Sequence, residues 1–199
     1  MTQLPFRSAT ELVAAIRGKE ISSTELAECY LDRIEAVNPG LGAVVTVAAE
    51  RACPEAGEAG RRLARGEEAG PLHGLPVTVK DRLETAGMPA TCGARELAGY
   101  VAGHDAEAVG RLRRAGADHR RQDKLAGVGT GLLARNGLFG TTSNPWDAWR
   151  TPGGSSGGAP AVAAARPRRC RPGACRHPHP PAAMRDLART AGYAGAECG

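Results

Sequence analysis

The 199 residues are enough for one sizeable domain, and no apolar run after Met1 is long enough for a signal peptide or a membrane span. A hydrophobic content of 42% is ordinary for a soluble globular chain, while 4% aromatics with 27 Gly and 14 Pro predicts few large anchors and many loops. Seven arginines against two acidic residues between Arg166 and Gly199 account for the whole formal charge of +5, so the first 165 residues are neutral and nucleic acid is not expected as a general partner.

In chain order, Ser8-Ala9-Thr10-Glu11 has the form of a capping box, followed by Leu12, Val13 and Ile16 at helical spacing, which predicts a first helix ending near Gly18. Ser22 to Glu25 repeats the cap. Leu26, Tyr30, Ile34 and Val37 then share one face of a second helix that Asn38-Pro39-Gly40 is expected to stop. Ala43 to Val47 reads as a short buried strand, and Ala48 to Arg65 as a third helix weakened by Pro54, Gly57 and Gly60. Gly74 to Asp81 is a β-rich stretch closing on two charges, and His104 to Ala115 reads as a helix with Ala108, Val109 and Leu112 inward. This alternation predicts an α/β layered domain.

From Arg135 to Val162 the composition turns to Gly, Ser, Thr, Asn and Pro, with Gly153-Gly154-Ser155-Ser156-Gly157-Gly158 at its centre. Such a loop can bring amides and hydroxyls against a substrate, since glycine permits positive φ and close approach, although a bare run of this kind also suits a flexible linker. A phosphate cradle is disfavoured because no lysine follows the glycines. Beyond Ala165 apolar periodicity ends, with five prolines between Pro167 and Pro181, and residues 166–199 are expected to be a disordered Arg/Pro-rich tail separate from a domain over 1–165. The six cysteines form no CxxC pair, so a reducing cytoplasm is the expected compartment. Cys170 and Cys175 with His177 and His179 could be read as a zinc cluster, but the spacing is poor and no metal is expected.

Lys80 stands where the apolar run Leu75 to Val79 would enter the interior. A lone lysine at a strand end is usually a solvated charge. Held away from water beside serine hydroxyls, however, a lysine can give up its proton and serve as a base.

Gly74-Leu75-Pro76-Val77-Thr78-Val79-Lys80-Asp81, then Thr85-Ala86-Gly87-Met88, Asn144-Pro145-Trp146-Asp147 and Arg150 to Gly158 resemble, in order and spacing, the amidase-signature family, over roughly Ser8 to Ala165. The resemblance implies an α/β fold with a mixed twisted sheet covered by helices, of which this chain holds the N-terminal portion. It implies hydrolysis of a carboxylic amide C–N bond by a Ser-Ser-Lys triad, with a small-molecule amide as substrate, no cofactor, no metal and no membrane, and it allows a homodimer of the intact relative. Lys80 matches the base, and Ser155 the middle serine on a cis peptide bond. Ser156, Gly153, Gly154, Gly157 and Gly158 would support it, while Asp81 and Asn144 would hold loops by hydrogen bonds. A glutamine-dependent amidotransferase subunit belongs to the same family.

The chain departs from the family in two intervals. No serine follows Ser156, whereas the family's nucleophile lies about two dozen residues past the middle serine in a Gly-Gly-Ser-Ile-Arg-Ile-Pro segment, so these residues alone are expected to give no amidase turnover, and a non-catalytic fragment is the alternative reading. Codons for His177-Pro178-His179-Pro180 read one base later can spell Ile-Arg-Ile-Pro, and those of Asp118 to Val128 can spell Thr-Ile-Val-Gly-Lys-Thr-Asn-Leu-Pro-Glu-Leu, the family's pattern there. Two reading-frame shifts are therefore the expectation, although the shifted codon at Arg176 cannot give serine. A divergent basic tail is the alternative.

Overall fold

A computed structural model describes residues 4–67, 70–123 and 133–165. Helix α1 (Ala9–Arg17) and helix α2 (Ser23–Leu41) both start on the expected capping boxes. Ser8 Oγ accepts the Glu11 amide at 3.2 Å and Glu11 Oε2 accepts the Ser8 amide at 2.7 Å; Ser22 and Glu25 repeat this at 3.0 and 2.8 Å. Hydrogen bonds from the capping serines' amides, and then from their hydroxyls, hold both glutamates below the usual carboxylate range.

Asn38-Pro39-Gly40 does not stop α2. The helix runs through Pro39 to Leu41 and is capped by Gly42 at φ 60°. One missing donor in the last turn is offset by neighbouring contacts: Leu41 is buried, the Gly42 amide donates to the Asn38 carbonyl at 2.7 Å, and Asn38 Oδ1 accepts the amides of Ala43 and Val44. The Asn38 side chain thereby sets the turn into strand β1 (Val44–Val47). Helix α3 (Ala49–Ala64) is likewise continuous across Pro54, Gly57 and Gly60.

Strand β2 (Pro76–Lys80) and strand β3 (Asp118–Asp123) join β1 in a mixed sheet of order β1-β3-β2, antiparallel between β1 and β3 and parallel between β2 and β3. Helix α4 (Glu107–Arg114) makes the crossover that a parallel pair requires. It begins later than expected. Val109 is buried and Leu112 half-buried, but Ala108 is exposed, which corrects its inward assignment. Strand β3 was not foreseen, because Asp-His-Arg-Arg-Gln-Asp has no β-branched or alternating pattern. Pairing on both edges makes it a strand, and both ladders carry a register irregularity.

Ala9, Leu12, Val13 and Ile16 of α1 pack with Leu26 of α2 and Leu75 just before β2. Burying four or five such side chains supplies roughly 1.5–3 kcal/mol each, which makes this cluster the main anchor of β2. Gly74, at φ +68°, turns the chain into that strand, and a Cβ there would overlap the buried Ser23 hydroxyl of α2. The Gly74 amide also donates to the Gly116 carbonyl at 2.9 Å, tying the turn to the end of α4.

The Gly/Ser/Thr/Asn-rich region holds a two-stranded ribbon, β4 (Arg135–Asn136) and β5 (Gly140–Thr141), and helix α5 (Gly158–Ala164). Ala161 and Ala165 pack on Leu41 and Ala43 in a second apolar cluster. Residues 166–199 lie outside the described residues, and with them the expected tail, the zinc-like cysteines and histidines, and the second frame-shift interval. Among the described residues no helix is long and apolar enough to cross a membrane.

Candidate active site

Strand β2 delivers Lys80 at its C-terminal end, beside a parallel neighbour, where α/β sheets commonly place their ligands. The Lys80 carbonyl accepts the Leu83 amide at 2.8 Å, so the chain turns at once after the lysine. Alternation along a strand sends Lys80 and Asp81 to opposite sides. Asp81 is 1% exposed, and its carboxylate accepts the Thr91 amide at 3.1 Å, the Thr91 hydroxyl at 2.6 Å and the Gly93 amide at 3.2 Å. It holds the loop over 82–93, as the sequence suggests. Asp81→Ala strands those buried donors at roughly 1–3 kcal/mol each, so a loss of about 3 kcal/mol is expected by denaturant titration, and a change under 1 kcal/mol would remove this role.

On its other side Lys80 Nζ donates to Ser155 Oγ at 2.8 Å, across 75 positions of sequence. Both residues are half-buried. The loop that brings Ser155 there is built from its own residues. Asn144 Oδ1 accepts the Trp146 amide at 2.9 Å and Asn144 Nδ2 donates to the Thr151 carbonyl at 3.1 Å, closing the loop over 144–151. The Gly153 amide donates to Thr151 Oγ1 at 3.1 Å, and Gly153 takes φ +89°, a conformation that favours glycine. The Gly154–Ser155 peptide is cis. Gly157 is confined by close approach, since a Cβ there would sit 2.7 Å from the Ala134 Cβ and overlap the Gly153 carbonyl. Ser156 is half-buried beside Ser155, Gly154 is exposed and Gly158 opens α5.

One residue of this arrangement escaped the sequence reading. Arg33 on α2 is buried, its guanidinium lies 4.5 Å from the centroid of the Phe6 ring, and it donates to the carbonyls of Val162, at 3.3 Å, and Ala165. A cation on the last carbonyls of α5 satisfies that helix end and fixes the element that follows the serine loop. Its only sequence signal was an arginine bordering the apolar face of α2. Two cavities of about 180 and 340 Å³ lie elsewhere, around Arg62 and His73 and around Arg82 and Tyr100, so the Lys80–Ser155 pair sits outside both. Among the described residues no cluster of His, Cys, Asp and Glu could hold a metal ion.

The sequence profile of the amidase family matches residues 25–168, which spans both β2 and the serine loop. The chain belongs to the amidase-signature family. The A subunit of the glutamyl-tRNA(Gln) amidotransferase of Carboxydothermus hydrogenoformans is 44% identical over 163 residues, covering 82% of this chain and 34% of the relative. That of Acidothermus cellulolyticus is 42% identical over 165 residues, covering 83% and 33%. Among solved structures, a bacterial aryl acylamidase of the amidase-signature family superposes with a TM-score of 0.76 at 34% identity, covering 80% of this chain and 33% of that one. The peptide amidase of Stenotrophomonas maltophilia gives 0.75 at 32% identity, covering 81% and 35%. This member therefore spans about a third of the length of the relatives it matches, and its α/β fold is the corresponding portion of theirs.

Proposed function

We propose that this chain carries the base and proton-relay half of an amide-hydrolysing site. The observation that carries the reading is the 2.8 Å contact from Lys80 Nζ to Ser155 Oγ, on a strand end and a glycine loop that belong to the family's matched region. In the complete site, Lys80 in its neutral form takes a proton from Ser155, and Ser155 takes one from a serine further along the chain, whose oxygen attacks the amide carbonyl. When the intermediate collapses, the proton returns along the same path to the departing nitrogen. Carboxylate and ammonia or an amine result. Ser156 and the glycines at 153, 154, 157 and 158 shape the loop. No metal or organic cofactor is needed for this chemistry.

No serine follows Ser156 among the 199 residues, so as they stand they hold base and relay without nucleophile, and we propose that they do not turn over amides alone. We take residues 1–165 as the family's domain portion and 166–199, like 118–128, as products of a shifted frame. The amidotransferase subunits, at 44% identity against 34% for the aryl acylamidase, favour as a second reading a glutamine-type primary amide that yields ammonia.

The chain has three lysines, Lys19, Lys80 and Lys124, of which Lys19 is exposed and serves as an internal control. With an amine-acylating reagent and site mapping by mass spectrometry, Ser155→Ala is expected to speed labelling of Lys80 about fivefold, the equivalent of one hydrogen bond of ~1 kcal/mol, and to leave Lys19 unchanged. Equal labelling of Lys80 in both chains would overturn the pairing.

A further inference from the structure

We infer that Ser155 is itself an acyl-accepting nucleophile in this chain, with Lys80 as its general base, toward small activated acyl compounds such as aryl esters. The inference rests on the pairing just proposed and goes beyond it, because there Ser155 only passes a proton. Three observations carry it. Lys80 Nζ lies 2.8 Å from Ser155 Oγ, within the range for direct proton transfer. Ser155 is half-buried, and its neighbour Gly154 is exposed and lacks a side chain, so the hydroxyl can be approached along that edge of the loop. No serine follows Ser156 among these 199 residues, so none of them competes for the relayed proton. A serine hydrogen-bonded to a lysine is a complete nucleophile–base pair on other folds.

The step balances without a co-reactant. Ser155 Oγ forms a bond to the acyl carbon while its proton passes to the neutral Lys80 amine; the bond from that carbon to the aryl oxygen then breaks and aryloxide leaves with its electron pair. Lys80 returns its proton to solvent. An aryloxide leaves unprotonated, whereas an amine must be protonated, which is why the inference is confined to activated esters. Subsequent attack by water on the acyl-serine is expected to be slow, so the chain should accumulate about one acyl group rather than turn over.

The test is incubation of the full chain with p-nitrophenyl acetate, followed by peptide mapping. The expected result is a single acetyl group on Ser155, formed at least about a hundredfold more slowly in Lys80→Met, the usual contribution of a general base. Acetylation at Ser156 or on Lys80 itself, no acetylation, or an equal rate at Ser155 in Lys80→Met would each overturn it. Because Lys80→Met could disturb folding, the mapping on the unaltered chain decides the site by itself. The two levels separate: if Ser155→Ala leaves Lys80 labelling unchanged, the underlying pairing fails, whereas a responsive Lys80 with an unacetylated Ser155 removes this inference alone.

Discussion

Rewriting residues 118–128 as Thr-Ile-Val-Gly-Lys-Thr-Asn-Leu-Pro-Glu-Leu is expected to raise the melting temperature by roughly 10 °C, from a stabilisation of about 3 kcal/mol. Strand β3 occupies the centre of the sheet, paired on one edge with β1 and on the other with β2, and it contacts α3 and α4. A strand in that position favours β-branched, apolar residues, as Val44, Val47, Val77 and Val79 are in its two neighbours. Its own residues, Asp118, His119, Arg120, Arg121, Gln122 and Asp123, include four formal charges and no β-branched side chain. His119→Ile and Arg120→Val alone introduce two side chains worth roughly 1.5–3 kcal/mol each when buried. Registers in both ladders should also become regular. Calorimetry of the two chains checks this, and a melting temperature unchanged or lowered by the replacement would remove the argument that the segment is foreign to its place in the fold.

The second large effect concerns activity. Residues 1–165, with 118–128 rewritten as above, joined to the remaining two thirds of the aryl acylamidase that superposes on them should hydrolyse an aryl acylamide, and Lys80→Ala in that chimera should lower kcat by about 10⁴ or more. The size follows from the proposed role: without a base, neither the relay serine nor the nucleophile would lose its proton, and members of such a triad fail together rather than additively. Ser155→Ala should cost less, since a water molecule could bridge part of the gap, yet still more than about a hundredfold. Retention of a tenth of the rate in the Lys80→Ala chimera would show that the lysine is a structural partner of the serine only. The unaltered 199 residues assayed alongside should show no turnover of the amide.

Residues within a few positions of one another announced themselves. Ser8 with Glu11 and Ser22 with Glu25 predicted two helix starts, because a capping box is a contact of fixed geometry across three residues. The apolar run before Lys80 predicted β2, and Gly153 and Gly157 sit where positive φ and close approach require no side chain. The Asn144 loop also closes on itself within seven residues.

Tertiary contacts decided the rest. Asn38 and the burial of Leu41 carry α2 through Pro39, against a local stop signal, and two paired neighbours make a strand of a sequence with no strand pattern. Asp81 is gripped by Thr91 and Gly93, ten and twelve positions away, and Arg33 by carbonyls more than 120 positions away. The chain order by itself determined that a lysine ends an apolar strand and that a serine pair sits among glycines. That Lys80 and Ser155 meet at 2.8 Å was decided by the folded structure, because a hydrogen bond across 75 residues depends on how α1, α2 and the sheet pack, and no propensity of either segment encodes that distance.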